Sequence, residues 1–229
     1  MKTYAIADLH GRYDLLLSAY DAIVRHGGAS GKIVHLGDYV DRGRQSREII
    51  EFLRSPNTIP AGMRRMVLKG NHEDMMVQCI TGRADLSWWI GNGGGATLVS
   101  YGQIEGSIAN PKVVPADHLQ WLAALPLLAF DNHRVFVHAF VDPFMPLEGQ
   151  DPEAMLWRIY PNGHPGGHRS RHVVHGHHQF ADGPKIFSGR TDLDTYAWFT
   201  GRLVVGVFDD DVPGGAVDFL EVKGMPAWR

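Results

Sequence analysis

Short apolar runs recur along the chain, and five of them end in clusters of Asp, His, Asn and Gly. Tyr4–Ala7 runs into Asp8-Leu9-His10-Gly11, and Ile33–Leu36 into Gly37-Asp38-Tyr39-Val40-Asp41-Arg42-Gly43. Met66–Leu68 leads through Lys69 into Gly70-Asn71-His72-Glu73. Val135–Val137 stops at His138, and His172–Val174 at His175-Gly176-His177-His178. Near-continuous apolar runs of this length predict buried strands. Amphipathic helices are predicted between the first three. Leu15, Leu16, Ala19, Ile23 and Val24 share one face, and Ile49, Ile50 and Leu53 share another. Alternating strands and helices predict an α/β fold with parallel pairing. Ligands of such sheets bind beyond the carboxyl ends of the strands, where every one of these polar clusters falls.

The rest of the chain reads differently. Residues 84–134 are expected to be mostly helical, a cap-like segment over one side of the site, carrying Trp88, Trp89 and Trp121 as packing residues and a tight turn at Asn92-Gly93-Gly94-Gly95. Antiparallel strands are expected at Lys185–Phe187, Thr191–Asp194, Arg202–Phe208 and Ala216–Val222, and Pro161–Arg171 reads as a mobile loop. Without repeats or low-complexity segments, residues 1–229 are expected to form a single domain.

Composition narrows the functional classes. The hydrophobic fraction of 44% and charged fraction of 21% are those of an ordinary globular protein. A net charge of −3 and the lack of a Lys/Arg run argue against nucleic acid or an anionic membrane as partner. No stretch approaches the ~20 apolar residues of a membrane span, and the N-terminal apolar run is too short for a signal peptide, so the expected location is the cytoplasm. Cys79 is the only cysteine, which excludes an internal disulfide and a thiolate-rich zinc site. The unusual count is histidine, at 13.

Phosphate esters hydrolyse extremely slowly in water, and two metal ions about 3.5–4 Å apart overcome this by generating hydroxide near neutral pH and clamping the attacking and leaving oxygens. Such a site needs carboxylate and imidazole ligands, one carboxylate being able to bridge. Asp8 and His10 lie two apart, so on an extended segment both point to one side. Asp38 is the candidate bridge, Asn71 offers an amide oxygen, and His138 and His177 offer imidazole nitrogens. This oxygen and nitrogen set suits Mn2+, Fe or Zn2+.

In their order, Asp8-x-His10-Gly11, Gly37-Asp38-Tyr39-Val40-Asp41-Arg42-Gly43, Gly70-Asn71-His72-Glu73, Val137-His138-Ala139 and Gly176-His177 resemble the motifs of the calcineurin-like metallophosphoesterases. More narrowly, they are similar to the phosphoprotein-phosphatase branch in its compact bacterial and phage form. The resemblance spans about residues 3–205. It implies a four-layer α/β/β/α sandwich of two mixed sheets, with a dimetal site at the carboxyl-terminal edges of the strands. Asp8, His10 and Asp38 would hold one metal, and Asp38, Asn71, His138 and His177 the other, Mn2+ being the foremost ion. His72 would be the general acid, held by Asp41, while Arg42 and Arg158, the latter after Trp157, would bind the phosphoryl group.

Arg42 and Glu73 are typical of the branch that cleaves monoesters, and the missing histidine two places after His177 points the same way. The expected activity is therefore hydrolysis of a phosphorylated protein or a small phosphomonoester. A symmetrical diadenosine tetraphosphate hydrolase is the alternative, and a silent phospho-binding module stands behind both. Phe140, His178 and Tyr196 depart from the family pattern. Among the other histidines, His175 and His35 are expected in packing roles, His26, His118 and His133 toward solvent, and His164, His168 and His172 in or beside a polar loop.

Overall fold

A computed structural model of the protein describes residues 1–27 and 30–226. In chain order it contains β1 (Lys2–Ile6), α1 (Tyr13–Gly27), β2 (Gly31–His35), α2 (Ser46–Arg54), β3 (Met63–Val67), α3 (Asn71–Ile80), α4 (Leu86–Trp89), α5 (Gly95–Ser100) and α6 (Ala116–Ala123). There follow β4 (Leu128–Phe130), β5 (Arg134–Val137), α7 (Pro152–Trp157), β6 (His172–His175), β7 (Lys185–Ile186), β8 (Arg190–Asp192), α8 (Ala197–Thr200), β9 (Arg202–Asp209) and β10 (Asp218–Lys223).

The strands form two five-stranded sheets, β10-β9-β1-β2-β3 and β4-β5-β6-β8-β7. As the alternation of elements predicts, β1, β2 and β3 are mutually parallel, and so are β5, β6 and β8. The antiparallel pairs β9–β10 and β7–β8 were expected as strands, but they complete different sheets.

Strand alternation builds the layers. Tyr4 and Ile6 of β1 face one core with Leu15, Leu16 and Ile23 of α1 and Ile49, Ile50 and Leu53 of α2. Ala5 and Ala7 face the other way and meet Phe136, Val174, Leu193 and Phe208 between the two sheets. The outer face of the second sheet packs Val135, Val137 and Val173 on Met155 of α7 and on Val141 and Leu147. The result is the expected α/β/β/α sandwich.

Three local expectations are corrected. Val24 is exposed rather than on the buried face of α1, whose stripe is completed by Tyr20 instead. His118 is buried, because Tyr101 Oη lies 2.8 Å from its Nδ1 and gives it a partner away from water. Within residues 84–134 the helices end at Ala123, and Leu128–Phe130 already pairs with β5. No helix among the described residues is long and apolar enough to cross a membrane.

His35, the last residue of β2, is fully buried against Tyr20 Oη at 2.9 Å, as its packing role requires. Burial, together with the charge of Arg65, pulls its pKa down to about 3 from an ordinary 6.5. Between these values the unfolded chain holds the proton and the folded chain does not, so folding weakens as pH falls through 6.5. This one group should remove about 1.4 kcal/mol of stability per pH unit over that window. His35→Gln should therefore show its largest deficit against the wild type at pH 7, and that deficit should narrow towards pH 4.5. Urea midpoints across pH measure the difference directly, and a deficit that stays constant would refute the assignment.

Candidate metal centre and phosphoryl site

The polar clusters meet where the strand ends of both sheets adjoin. Their backbones are not extended. Asp8, His10, Asp38, Asp41, Arg42 and His177 all have positive φ, at 21°, 41°, 56°, 72°, 68° and 67°. The strand-alternation argument for Asp8 and His10 thus does not apply, since β1 has ended and both residues lie in a left-handed turn. Non-glycine residues adopt this region at a cost, and such strain gathers at functional sites. The loops interlock to hold it: His10 N donates to Asp38 O at 2.8 Å, Gly11 N to Tyr39 O at 2.9 Å, and Gly43 N to His10 O at 3.1 Å. Close approach explains two glycines as well. A Cβ on Gly37 would sit 2.6 Å from Gly70, and one on Gly176 would sit 2.0 Å from Asp8 Oδ2.

Asp38 is the centre of the arrangement. Its Oδ2 lies 3.4 Å from His10 Nε2, and its Oδ1 lies 3.5 Å from His138 Nε2. Potential ligand atoms gather into two groups, His10–Asp38–His72 and Asp38–His138–His177, each within 4.8 Å. Asp38 belongs to both, as a bridging carboxylate must. Asn71 stands beside the second, one end of its amide 2.8 Å from His138 Nε2 and 3.2 Å from His177 Nδ1. Asp8 joins neither group; its carboxylate accepts the His177 N–H at 3.1 and 3.2 Å and feels the charge of Asp38.

The donor set fits metal. His10 Nδ1 lies 2.8 Å from Val40 O, His138 Nδ1 3.0 Å from Leu36 O, and His177 Nε2 3.2 Å from Trp157 O. Each carbonyl fixes the N–H on that nitrogen, leaving the other nitrogen of each ring as a lone pair on the ligand cluster. Burial keeps all three rings neutral by lowering their pKa values, that of His177 to about 4. Lone pairs and carboxylate oxygens converging in a buried space repel one another unless a cation joins them. The acids report the same crowding. Burial, then the charges of Asp194 and Asp38, hold the Asp8 pKa well above the carboxylate range, and burial leads in pushing Asp194 up to about 7.

A second set of contacts surrounds His72. Its Nδ1 lies 2.7 Å from Asp41 Oδ2. Asp41 is fully buried and also accepts from Trp89 Nε1 at 2.8 and 3.0 Å and from Thr97 Oγ1 at 2.8 Å. Burial would depress the His72 pKa, but the charge of Asp38 and the Asp41 hydrogen bond outweigh it and leave the pKa raised. Arg42 reaches both rings, with Nη1 2.7 Å from His10 Nε2 and Nη2 3.1 Å from His72 Nε2. Arg158 is exposed, its guanidinium 4.4 Å from the Phe140 ring centroid, with no hydrogen bond to these groups among the described residues.

Sequence reasoning passed over several participants. Trp89 and Thr97 buttress Asp41, so the helical segment supports the site from within as much as it covers it. Asp192 and Asp194 are buried beside Asp8, and each has one oxygen without a hydrogen-bond partner. Their Asp-x-Asp spacing at the end of β8 is the same kind of signal as Asp8-x-His10. Glu73 clamps the loop: its carboxylate accepts from Asp38 N (2.8 Å), Tyr39 N (2.7 Å), Val40 N (3.2 Å) and Gly70 N (2.9 Å). Burial and the charge of Asp38 push its pKa up to about 7 against these donors.

Two mixed sheets whose loops gather imidazoles and carboxylates at a common edge are the plan of a metallohydrolase. Residues 1–205 match the calcineurin-like phosphoesterases, and the chain belongs to that family, in which a dinuclear metal site is general. The symmetrical bis(5'-nucleosyl)-tetraphosphatase of Neisseria meningitidis is 31% identical over 145 residues, 62% of this chain and 45% of that protein. The protein of the same name from Actinobacillus succinogenes is 26% identical over 145 residues, 62% of this chain and 46% of its own length. The match thus spans less than half of either relative. A protein serine/threonine phosphatase from Saccharomyces cerevisiae shares the fold at a TM-score of 0.63 and 18% identity, covering 98% of this chain and 80% of its own.

Two outcomes check this geometry. Glu73→Gln would turn an amide N–H2 towards backbone donors and should cost about 2–3 kcal/mol of stability in urea unfolding. Calorimetric titration with Mn2+ should give two ions per chain in the wild type, and loss of at least one in Asp38→Asn.

Proposed function

We propose that the protein is a metal-dependent phosphatase of phosphate monoesters, its substrate a phosphorylated protein or a small phosphomonoester. The observation that carries this reading is the buried Asp41–His72 pair, 2.7 Å apart, with Arg42 against the outer nitrogen of His72. Asp8, His10 and Asp38 would hold one divalent ion, and Asp38, Asn71, His138 and His177 the other, with Mn2+ the preferred candidate. When bound, the ions supply a nucleophile near neutral pH and positive charge for the phosphoryl oxygens. Arg42 binds the phosphoryl group through its planar fork of donors, letting go of both His10 Nε2 and His72 Nε2 as it does so. His72 carries a proton on Nε2 to the departing oxygen, and Asp41 stabilises the charged ring before transfer.

The leaving group decides between this reading and its rival. A serine or threonine alkoxide is a poor leaving group and must be protonated as it departs. Symmetrical cleavage of diadenosine tetraphosphate expels a nucleoside diphosphate, which leaves readily without a proton. A general acid tuned by a carboxylate with three side-chain partners is of most use to the first reaction. Kinship with the tetraphosphatases keeps the second as an alternative.

His72→Asn should lower kcat/KM for a phosphoserine peptide by about 10²–10⁴-fold with metal content unchanged. For p-nitrophenyl phosphate, whose phenolate leaves easily, the loss should be tenfold or less. An equal loss on both substrates would remove the acid from the mechanism. A wild-type preference for diadenosine tetraphosphate over every monoester would establish the rival.

A further inference from the structure

Arg42 lies at the junction of three cavities around the rim of the site. One, of about 480 Å³, runs past Ile90, Ala96 and Val99 beside the exposed Arg44–Glu105 ion pair. A second, of about 390 Å³, is lined by Arg42, Gly91, Asn92, Gly93 and Trp198. A third, also of about 390 Å³, includes Arg12, Gln45 and again Trp198, so the indole stands between two of them.

The second cavity has an unusual makeup. One wall is the Trp198 ring, whose centroid lies 5.6 Å from Arg42 Cζ. The Gly91-Asn92-Gly93 turn also lines it and carries one side chain over three residues. No carboxylate lines it. Gly93 takes φ 106° to bring its carbonyl within 3.2 Å of Arg42 N, so the turn is fixed to the same arginine. At Gly91 a Cβ would meet no atom within 4 Å.

Trp198 is braced from behind. Tyr196 packs edge-on to it at 5.3 Å, Phe199 lies 5.8 Å away, and Tyr196 and Phe199 stack at 4.9 Å. Tyr196 holds φ 58°, a conformation strained for a tyrosine, and its N–H donates to Asp194 Oδ1 at 2.8 Å. The aromatic cluster is thereby tied to the buried acid next to Asp8. An indole beside a guanidinium and a nearly bare glycine turn suits a flat ring that carries a phosphoryl group.

We propose that this slot receives the ring of an aryl phosphomonoester, with the phosphoryl group on Arg42 and the ring against Trp198. The slot favours the binding of aryl esters, of which a phosphotyrosyl residue and a free aryl phosphate are the two sources, while phosphoserine and phosphothreonine remain substrates whose alkoxide His72 protonates. The inference rests on the monoesterase reading and names its substrate class. Hydrolysis breaks the bond between phosphorus and the phenolic oxygen. Water supplies the new oxygen on phosphorus, its protons end on the products, and His72 delivers the one that the phenol requires.

Steady-state kinetics of the Mn2+-loaded protein with phenyl phosphate, a phosphotyrosyl peptide and a phosphoseryl peptide of the same sequence test this. Trp198→Ala should lower kcat/KM for both aryl esters by about tenfold, mainly through KM, and for the phosphoseryl peptide by twofold or less. Gly91→Val, which adds bulk to the lining where a Cβ meets no atom within 4 Å, should show the same selectivity and guards against a Trp198 variant that fails to fold. Equal losses on aryl and alkyl esters would mean that Trp198 only positions Arg42, and would overturn the proposal. Comparing the two aryl substrates separates the sources: a peptide advantage over phenyl phosphate identifies phosphotyrosyl protein. Calorimetric binding of phenylphosphonate against propylphosphonate needs no turnover. Tighter binding of phenylphosphonate that Trp198→Ala abolishes would sustain the slot even if no monoester were hydrolysed, a result that would sink the monoesterase reading alone.

Discussion

Asp38 is the point on which the structure turns. It is a buried carboxylate with one oxygen towards His10 and the other towards His138, in a pocket where Asp8, Asp194 and Glu73 are also buried. Gathering so many acids out of water costs far more than local hydrogen bonds return, unless positive charge joins them. Around these acids, Arg42 reaches His10 Nε2 and one end of the Asn71 amide lies among four acceptor atoms. Both contacts compensate less than a divalent cation would.

Holding those acids together requires a rigid frame, and the frame is mostly backbone. Glu73 gathers four N–H groups from two loops, and the loop after β1 hydrogen-bonds to the loop after β2 along its length. The six site residues at positive φ are affordable only because the two sheets beneath them share a continuous apolar layer through Ala5, Val34, Phe136, Val174 and Phe208. Strain is concentrated at the strand ends while packing is concentrated between the sheets. The two are linked through single residues, since each ligand loop begins where a core strand stops.

This division explains what the sequence disclosed. The apolar runs marked strand ends, and polar residues that follow strand ends need no knowledge of the intervening chain to be recognised. Asp8, His10, Asp38, Asn71, His72, His138 and His177 were legible for that reason, although separated by up to 169 positions. Trp89 and Thr97 were not, because their role depends on how a helical segment folds back onto Asp41, and an indole that donates to a buried carboxylate looks like a packing indole in sequence. His118 and Val24 failed on the same ground: burial at a segment's edge is decided by a partner such as Tyr101 from another turn. Glu73 was read as a marker of substrate class, whereas its contacts are all to backbone. Those contacts fix the Asp38 loop, so the role the structure gives it is positional.

Substrate choice and catalysis therefore reside in different layers. His72, Asp41 and the ligand cluster are enclosed by core strands and by α3, α4 and α5, so their geometry is set by packing that any change in substrate would leave alone. The rim is built otherwise: Trp198 lies on the four-residue α8, and Gly91–Gly93 lie in the irregular turn between α4 and α5. Short elements of this kind hold few core contacts and can change residues at small cost to the fold. Arg42 is the one residue common to both layers, touching His10 and His72 on one side and Trp198 and Gly93 on the other. Any discrimination exercised at the rim must reach the reacting phosphorus through that side chain. On the proposed reading, a substrate that seats badly against Trp198 would lose affinity first, because the indole lies against the guanidinium that would bind the phosphoryl group.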